Sequence, residues 1–494
     1  MTLPDDLHTA AAVRRLEREA IAAGTAGYTL MERAGAAAMS TLGHLWPDAR
    51  SIAVVAGPGN NGGDGLVLAR LARQQGMTVV TLLVGEAGDL HGEALQAFQD
   101  LRRAGQEVRP FDAALLDAQD VIVDALLGIG VRAPLQPEWH AAILAMNSCG
   151  CQILSLDLPS GLDPDTGRAL PAVRATATLS FLALKQGLFL AEGRDDAGLV
   201  LFDDLGVQAP EEVTPSLRRM NDQCLAAALA PRPRDSHKGL FGRVLVIGGG
   251  SGMPGAVRLA AESALRVGAG LVTVASRPEH LAAVVGARPE LMFHAVAGAS
   301  DIDLPLSQAD VVAIGPGLGR SEWARALLER VFAVRVSGQR LVVDADALNL
   351  IAAGSGPQHC DDWVLTPHPG EAARLLGCGT QDVQEDRLAA LAALCQRRGG
   401  TIVLKGAGTL VGSRDHVPLL CQQGNPGMAV PGMGDVLTGA VAGILAQGAQ
   451  PFAAAAAAVH AHALAGDRCA RDGLRGMMAL EVAQELRAVL APIP

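Results

Sequence analysis

Lysine and aromatic residues are scarce in this chain of 494 residues. Only Lys185, Lys238 and Lys405 are lysines among its 40 basic residues, and aromatic residues make up 3% of the chain. The hydrophobic cores must therefore be built mainly from Ala, Val and Leu. Acidic residues outnumber basic ones by 51 to 40, which gives a net charge of −11. Because no long basic run occurs either, we expect neither nucleic acid nor an anionic membrane as a partner.

Cysteine spacings typical of zinc sites and long apolar runs are also missing. The eight cysteines are scattered without any CxxC, and Cys149 and Cys151 form the only close pair. Such thiols are typical of a reducing compartment, so we expect a cytoplasmic protein. The N-terminus contains Asp5 and Asp6 and lacks the apolar core of a secretory signal. No stretch of about 18 strongly apolar residues predicts a membrane span.

The length and the apolar pattern predict two α/β domains. A single core rarely grows beyond roughly 250–300 residues, and short apolar runs alternate with helical patterns in both halves. This alternation is typical of parallel sheets with helices on both faces. In the first half, we expect strands at Ile52–Ala56, Val79–Val84, Val121–Asp124 and Ile153–Leu156, with helices at Leu66–Gln75 and Leu90–Ala104. In the second half, we expect strands at Val244–Ile247, Leu271–Val274, Val311–Ile314, Leu341–Asp344, Val364–Thr366 and Ile402–Leu404.

The domain boundary is expected between residues 206 and 235. Pro210, Pro215, Pro231 and Pro233 alternate there with charged residues, a composition typical of boundaries. We expect no strand in this stretch, although a helix fits at Cys224–Ala230. The two domains are therefore placed at residues 1–215 and 225–494.

A glycine-rich loop follows the first predicted strand. Gly57-Pro58-Gly59-Asn60-Asn61-Gly62-Gly63-Asp64-Gly65 leads from Ile52–Ala56 into a helix. A strand, a glycine loop and a helix in this order place backbone N–H groups around an anion. The loop is neither GxGxxG nor a P-loop, and an ordinary βα turn is the alternative. Two adjacent Asn residues and an Asp argue against that alternative, since they add side-chain donors and acceptors.

Two further predicted strands of the first half run into polar residues. Asp124 ends one strand, and Asp157 and Ser160 follow another. Ligands of parallel sheets bind beyond the carboxyl ends of the strands, so Asn61, Asp124 and Ser160 are expected to converge. Their oxygen atoms, without Cys or His, suit an alkali or alkaline-earth ion rather than zinc. The alternative is that each acid caps the next helix.

The first half resembles the epimerase domain of the NAD(P)H-hydrate repair enzymes. The resemblance rests on Pro58–Arg70, Val123–Gly130, Asp157–Asp163, Leu30–Gly35 and Leu184–Leu188. It implies a Rossmann-like domain that interconverts the R and S epimers of hydrated NADH and NADPH, here called NAD(P)HX, beside a potassium ion. It also implies that Asn61, Asp124 and Ser160 bind potassium, and Asp157 is our candidate catalytic residue. The implied hydrate contacts are Asn60, Asn61, Gly62, Gly63, Asp64, Gly128, Ile129, Gly130, Val131, Arg132, Ala133, Pro134 and Asp157.

The sharpest motif of the second half is Asn425–Asp435, which opens the predicted helix Val436–Gln447. Its glycines at a helix N-terminus favour an anion hole, and Asp435 stands where a base could meet a substrate hydroxyl. The alternative is a glycine turn with a capping Asp.

Three other strand ends of the second half carry further candidates. Lys405 opens a Lys-Gly turn and could meet a phosphate, with a solvated strand-end lysine as the alternative. His368 stands between two prolines, which suits a ligand contact better than core filling, although it could also brace the loop. Gly315–Gly319 is a turn that permits close approach to a ligand.

Together these motifs resemble the ADP- or ATP-dependent NAD(P)H-hydrate dehydratases, which have a ribokinase-like fold. The resemblance also includes Ser236–Gly239, Gly242–Gly250, Gly255–Gly270 and Asp344–Asn349. It implies Ala256, Gly317, His368 and Asp435 as hydrate contacts, with Asp435 as the base. It implies Lys405, Gly406, Ala407, Gly408, Thr409 and Gly434 as nucleotide contacts. Fused two-domain members typically use ADP, so ADP with Mg²⁺ is the expected phosphoryl donor.

The two resemblances imply a bifunctional enzyme. It would epimerise NAD(P)HX and dehydrate the S epimer to NAD(P)H at the expense of ADP, giving AMP and phosphate. Its partners would be NADHX, NADPHX and ADP, and we expect a homo-oligomer. The alternative is a ribokinase-like vitamin kinase with a non-catalytic N-terminal binding domain. A stable phosphorylated vitamin as product would favour the kinase, whereas Asn61, Asp124, Asp157 and Ser160 argue against a non-catalytic first half.

Overall fold

The computed structural model of the chain describes residues 3–131, 134–207 and 213–491. The chain divides into two compact units, the first ending at Leu217 and the second beginning at Arg218. Each unit contains a parallel sheet and a hydrophobic core of its own.

Strands and helices alternate through the first unit. Its strands are β1 (Asp6–His8), β2 (Ser51–Ala56), β3 (Thr78–Leu83), β4 (Val108–Pro110), β5 (Val121–Ala125), β6 (Gln152–Leu156), β7 (Ala177–Phe181), β8 (Leu184–Lys185) and β9 (Leu199–Asp203). Its helices are α1 (Ala10–Ala22), α2 (Gly27–Leu45), α3 (Asn60–Gln74), α4 (Gly92–Arg103), α5 (Pro137–Ser148) and α6 (Gly193–Asp196).

The main sheet of the first unit has the order β4-β3-β2-β5-β6-β7-β9, and its neighbouring strands are parallel. Side chains of successive residues in β2 point to opposite faces of the sheet, because side chains alternate along a strand. Ile52 and Val54 pack in the core that includes α2 and α3, whereas Ala53 and Val55 pack with residues of α5. The carboxyl ends of β2, β5 and β6 consequently lie side by side. β1 pairs separately, in parallel, with β8.

The second unit follows the same alternation. Its strands are β10 (Leu217–Arg219), β11 (Arg243–Ile247), β12 (Leu271–Ser276), β13 (Met292–Ala295), β14 (Val311–Ile314), β15 (Arg340–Val343), β16 (Trp363–Leu365), β17 (Thr401–Leu404), β18 (Leu410–Ser413) and β19 (His416–Leu420). Its helices are α7 (Gln223–Ala228), α8 (Pro254–Arg266), α9 (Leu281–Val285), α10 (Asp303–Gln308), α11 (Glu322–Val334), α12 (Ala345–Ala352), α13 (Pro369–Leu376), α14 (Thr380–Glu385), α15 (Arg387–Arg398), α16 (Met433–Ala446), α17 (Pro451–Cys469) and α18 (Ala479–Leu490).

The sheet of the second unit is parallel from β13 through β12, β11, β14, β15 and β16 to β17. β18 and β19 then continue it as antiparallel strands, and β10 pairs in parallel with β19. Small residues let α16 pack closely on α8, since a Cβ on Gly439 would lie 1.9 Å from the Ala260 carbonyl oxygen. This close packing helps to build a core whose buried residues are mainly Ala and Val, with Phe293 and Phe452 packed against it.

The predicted α/β class and the predicted parallel strands are confirmed, with strand ends shifted by at most two residues. Two helices begin earlier than predicted, because glycine-rich residues form their first turns. α3 begins at Asn60 rather than Leu66, and α16 begins at Met433 rather than Val436. The residues of both predicted loops are therefore partly helical.

One prediction about the boundary segment was wrong. We expected no strand between residues 206 and 235, but β10 lies there. This strand has three residues and pairs with β19, about 200 positions away in the sequence, so local patterning could not reveal it. Among the helices of the described ranges, none is both long and apolar enough to cross a membrane.

Candidate active sites

Two backbone segments meet at the carboxyl edge of the first unit's sheet. A Cβ on Gly57 would lie 2.0 Å from the Leu126 carbonyl oxygen, and a Cβ on Gly62 would lie 1.9 Å from the Gly57 carbonyl oxygen. Only glycine avoids these overlaps. The glycines therefore let the first turn of α3 pack against the end of β5, which brings the predicted polar residues together.

Asp124 and Ser160 form a buried hydrogen-bonded pair at this edge. Ser160 Oγ donates to Asp124 Oδ1 (2.5 Å), and Ser160 N donates to Oδ2 (2.9 Å). Ser155 Oγ also donates to Oδ2 (2.7 Å). Burial raises the pKa of Asp124, although the hydrogen bonds from Ser160 and Ser155 lower it. No cationic side chain of the described residues pairs with this carboxyl, so a bound cation would find an uncompensated acceptor here.

Asn61 joins this pair through Leu127. Asn61 Nδ2 donates to the Leu127 carbonyl oxygen (3.1 Å), and Leu127 N donates to Ser160 Oγ (2.8 Å). Asn61 Oδ1 is buried, and nothing in the described part of the chain donates a hydrogen bond to it. An unsatisfied amide oxygen and a buried carboxyl, linked through Leu127 and Ser160, supply hard oxygen donors, which fit an alkali-metal ion such as potassium.

A cavity of about 590 Å³ opens beside these residues. Predicted hydrate contacts that line it are Asn60, Asn61, Asp64, Gly128, Ile129, Gly130, Val131 and Asp157. Gly62 and Gly63 do not belong to the described lining and instead pack against neighbouring residues. A Cβ on Gly63, for example, would lie 2.5 Å from Met31 Cε. Pro134 is exposed and does not belong to the described lining. Arg132 and Ala133 lie outside the described residues.

Asp157 is positioned by its backbone and by a buried lysine. Its φ of 65° lies in the left-handed region, which non-glycine residues seldom adopt. Phe181 N donates to Asp157 Oδ1 (3.1 Å), and the Lys185 ammonium forms an ion pair with the same oxygen. Lys185 also donates to the Phe181 carbonyl oxygen (2.7 Å) and to Ser180 Oγ (3.3 Å). Sequence reasoning placed Lys185 in a matched motif but gave it no role; the scarcity of lysine was the only other signal.

Two further carboxyl groups line the same cavity, Asp64 of α3 and Glu17 of α1. Burial, and then the charge of Asp157, raise the pKa of Asp64 well above its usual value. The same two causes raise the pKa of Glu17. Glu17 was not predicted, because α1 lies before the motifs that carry the resemblance.

In the second unit, Lys405 and Asp344 form an ion pair where β17 and β15 end. Lys405 Nζ lies 2.7 Å from Asp344 Oδ1 and 4.0 Å from Glu371 Oε2. Thr438 Oγ1 donates to Asp344 Oδ2 (2.7 Å). Burial opposes the charge of Lys405, but Asp344 and Glu371 outweigh it and raise the lysine pKa. The predicted nucleotide contact is therefore a charged ammonium between two acids.

His368 caps α13 and contacts Glu371. Its Nδ1 accepts a hydrogen bond from Gly370 N (3.0 Å), and His368 N donates to Glu371 Oε2 (2.9 Å). Its Nε2 lies 3.4 Å from Glu371 Oε1, and half of the His368 side chain is exposed. Burial and the nearby charge of Lys405 lower the pKa of His368. The imidazole is therefore neutral at pH 7, and its exposed part is available to a ligand.

Asp435 stands in the first turn of α16, beside this ion pair. A Cβ on the preceding Gly434 would lie 3.2 Å from Lys405 Nζ, so the helix start and the ammonium are adjacent. Burial, and then the charge of Asp344, raise the pKa of Asp435 to about 7, although Lys405 lowers it. A carboxyl group that titrates near neutral pH suits a general base.

Arg387 stabilises the predicted nucleotide-binding turn, residues 405–409, through hydrogen bonds to its backbone. Gly406 adopts a φ of 138°, which a side chain would strain. Arg387 Nη2 donates to the carbonyl oxygens of Leu404 (3.1 Å) and Gly408 (3.2 Å). Sequence reasoning did not single out Arg387, because these contacts join residues that lie apart in the chain.

Ala256 and Gly317 contact each other, since a Cβ on Gly317 would lie 2.9 Å from Ala256 Cβ. The turn that contains Gly317 is linked to Asp435 only indirectly: Gly319 N donates to Asp346 Oδ2 (2.9 Å), and the charge of Asp346 raises the Asp435 pKa. In the described ranges, no hydrogen bond or ion pair joins Ala256 or Gly317 to His368 or Asp435.

Comparison with protein families and solved structures agrees with this division of the chain. A family model described as NAD(P)H-hydrate dehydratase matches residues 244–488, and one described as YjeF-related protein N-terminus matches residues 27–187. A ribokinase-like superfamily protein from Enterococcus faecalis is similar with a TM-score of 0.53 and 31% identity, covering 58% of this chain and 98% of that protein. An ADP/ATP-dependent NAD(P)H-hydrate dehydratase from Bacillus subtilis, co-crystallised with ATP and Mg²⁺, gives a TM-score of 0.50 and 28% identity, covering 56% and 98%. The ribokinase-like fold predicted for the second half is thereby confirmed.

Similarity to curated proteins extends over both units. A bifunctional NAD(P)H-hydrate repair enzyme from Coxiella burnetii is 45% identical over 97% of this chain and 98% of its own length. One from Escherichia coli is 42% identical over 100% of this chain and 95% of its own length. Because the similarity covers nearly the whole of each protein, this chain belongs to the family of the bifunctional NAD(P)H-hydrate repair enzymes.

Proposed function

We propose that this chain repairs hydrated NADH and NADPH in two steps. The first unit, proposed as the epimerase domain (residues 1–215), interconverts R- and S-NAD(P)HX. The second unit, proposed as the dehydratase domain (residues 225–494), dehydrates the S epimer with ADP, giving NAD(P)H, AMP and phosphate. The observation that carries the proposal is the position of Asp435, with a pKa of about 7, at a helix N-terminus beside Lys405.

In the first unit, the hydrate would bind in the cavity lined by Asn60, Asp64 and Asp157. Asn61, Asp124 and Ser160 would hold a potassium ion at its edge. The unpartnered Asn61 Oδ1 and the buried, uncompensated Asp124 support this assignment. When bound, the ion supplies a fixed positive charge. The protein atoms would orient the nicotinamide ring and exclude bulk water.

In the second unit, dehydration is difficult because hydroxide is a poor leaving group. Transfer of a phosphoryl group from ADP to the ring hydroxyl converts that group into phosphate, and loss of phosphate and a ring proton restores the double bond. Asp435 would accept the hydroxyl proton, and the N-terminus of α16 would stabilise the transferred phosphoryl group. Ala256, Gly317 and His368 would contact the hydrate, and Lys405–Thr409 with Gly434 would contact the nucleotide, which we expect to bind together with Mg²⁺.

The two activities are tested together with mixed NADHX epimers and ADP, by following the absorbance of reduced nicotinamide. We expect all of the hydrate to be recovered as NADH. Recovery of the S fraction alone would contradict the epimerase, and no recovery would contradict the dehydratase and therefore the two-step repair. Parallel reactions with ATP test the preference for ADP.

The Asp157→Ala variant separates the units. We expect it to consume the R epimer at the spontaneous rate while it dehydrates the S epimer like the wild type. R-epimer consumption at the wild-type rate would contradict an enzymatic role for the cavity.

Potassium is tested by measuring epimerisation after exchange of potassium for lithium, with Asp124→Asn as a matched variant. We expect a loss of rate in lithium that potassium restores in the wild type but not in the variant. Equal rates in both salts would contradict the assignment. Location in the cytoplasm and assembly into a homo-oligomer stay predictions, testable by cell fractionation and by light scattering.

A further inference from the structure

Two carboxyl groups that line the cavity of the first unit, those of Asp157 and Asp64, differ in their hydrogen-bond and ion-pair partners. Asp157 Oδ1 accepts hydrogen bonds from the Lys185 ammonium and from Phe181 N (3.1 Å). An ammonium has three donors, and those of Lys185 have three acceptors: Asp157, Ser180 Oγ and the Phe181 carbonyl oxygen. Only 1% of the lysine is exposed. This arrangement holds Asp157 as a carboxylate.

Asp64 has no such support. It lies in the first turns of α3 and lines the same cavity. Within the described ranges, no group donates a hydrogen bond to its carboxyl, and no cation pairs with it. The charges of Asp157 and Glu17 also act on it, and together with burial they raise its pKa well above the ordinary value. Burial next to another carboxylate favours the protonated form of a carboxyl group.

On the basis of the epimerase function proposed above, we propose that Asp64 and Asp157 are its acid and base. Asp64 protonates the hydroxyl that leaves the ring, and Asp157 removes a proton from the water that replaces it. Two carboxyl groups whose surroundings hold them in opposite protonation states are the usual way to divide acid and base roles in one cavity.

The chemistry balances without a redox step. Hydration of an enamine places the hydroxyl on the carbon next to the ring nitrogen. Asp64 gives its proton to that oxygen as the C–O bond breaks, and the nitrogen lone pair forms a C=N⁺ bond while water leaves. Water then attacks the opposite face of this carbon, the C=N⁺ electrons return to nitrogen, and Asp157 takes the released proton. One water leaves and one enters; Asp157 then loses a proton to solvent and Asp64 takes one up, which restores the starting state. The reverse reaction exchanges the two roles.

Glu17 is the competing acid, because it lines the same cavity and its pKa is also raised. Asp64 is favoured because it lies on the turn that carries Asn60 and Asn61, within the set of predicted hydrate contacts. In addition, Arg14 on the helix of Glu17 lowers the Glu17 pKa. The remaining titratable group of the described lining is His91, before α4.

The test compares R-to-S conversion by full-length wild type, Asp64→Asn and Glu17→Gln, with the purified R epimer and chromatographic separation of epimers. Loss of a general acid typically costs 10²–10⁴-fold. We therefore expect Asp64→Asn to lower kcat by about 10³-fold with little change in KM, and Glu17→Gln to lose far less. Asp64→Glu should recover part of the rate, and dehydration of the S epimer with ADP should stay at the wild-type level in all three.

The pH profile separates an acid from a merely structural residue. Wild-type epimerisation should fall on the alkaline side as Asp64 loses its proton, and this fall should be absent from the residual rate of Asp64→Asn. An Asp64→Asn kcat close to the wild-type value, a change in KM alone, or a larger loss in Glu17→Gln would overturn the assignment. A wild-type rate no faster than spontaneous epimerisation would overturn the epimerase function and, with it, this assignment.

Discussion

Each unit contains a lysine–aspartate ion pair where its parallel strands end, but the two pairs have different neighbours. In the first unit, Lys185 pairs with Asp157, which itself lines the cavity. In the second unit, Lys405 pairs with Asp344, which is 1% exposed. The proposed base Asp435 stands beside that pair, and its pKa is raised to about 7. A lysine can thus pair directly with the carboxyl proposed to be catalytic, or pair with another acid and leave the proposed base beside the ion pair.

The surroundings of these lysines also suit ammonium rather than guanidinium. Lys185 has three acceptors in different directions, and Lys405 lies between Asp344 and Glu371, next to Gly434. A compact ammonium satisfies such sites, whereas a planar guanidinium needs more room. Lys238 differs, because its side chain is exposed, and nothing in the structure requires lysine there.

The largest effect is expected from Asp435→Asn, which removes the carboxyl group that stands beside the Lys405–Asp344 pair. Loss of a general base should lower kcat for dehydration of S-NADHX by about 10³-fold, while epimerisation by the first unit is unchanged. Initial rates of NADH formation with ADP give the first value, and R-to-S conversion gives the second. A dehydration rate close to that of the wild type would exclude Asp435 as the base.

Lys185→Met tests the pair of the first unit by leaving Asp157, whose side chain is mostly but not fully buried, without its cation. Removing one partner of a buried ion pair costs about 3–5 kcal/mol, so the free energy of unfolding of the first unit should fall by about this amount, and epimerisation should be lost. Chemical denaturation followed by circular dichroism measures the change. The matched control is Lys238→Met at an exposed position, which should unfold like the wild type. Equal stabilities of the two variants would show that the pair is not stabilising.

Lys405→Arg tests whether the Lys405–Asp344 ion pair tolerates a larger cation. The guanidinium would displace Gly434 and Asp435, and misplacement of reacting groups by about 1 Å costs up to about 10²-fold in rate. We expect dehydration to fall by about 10–100-fold, with epimerisation intact. Lys238→Arg is the control. A fully active Lys405→Arg would mean that the scarcity of lysine reflects coding bias alone.

The smallest effect is a dependence of dehydration on pH. Because the pKa of Asp435 is raised to about 7, its protonated form dominates below that pH. We expect kcat/KM for dehydration to fall about tenfold per pH unit below about pH 6. The folded chain also binds the Asp435 proton more tightly than the unfolded chain does. Its contribution to the free energy of unfolding is therefore greatest at low pH and is lost as the pH rises through 7. Rates and unfolding midpoints at several pH values check both trends, and Asp435→Asn should lose the trend in rate and show a weaker trend in stability.

Local patterning was sufficient for the ten predicted strands, but it missed others such as β7 (Ala177–Phe181) and did not identify the glycine-rich helix starts. Apolar runs such as Val311–Ile314 identified buried strands because such strands are mostly apolar. The first turns of α3 and α16 looked like loops, because Gly and Asn are poor helix formers. Close approaches such as that of Gly62 to the Gly57 carbonyl oxygen require glycine there despite its low propensity. Tertiary packing therefore outweighed local preference at the functional helix starts.

The amino-acid sequence alone was enough to predict two α/β domains and the family resemblance. It also identified candidate residues such as Asn61, Asp124 and Asp435, because motifs and strand periods are local. Which charges face one another depended on folding. The pairing of Lys185 with Asp157 joins positions 28 residues apart, and that of Lys405 with Asp344 joins positions 61 apart. Burial and charge at such contacts decide which carboxyl groups hold a proton, and both arise only when distant strand ends are brought together.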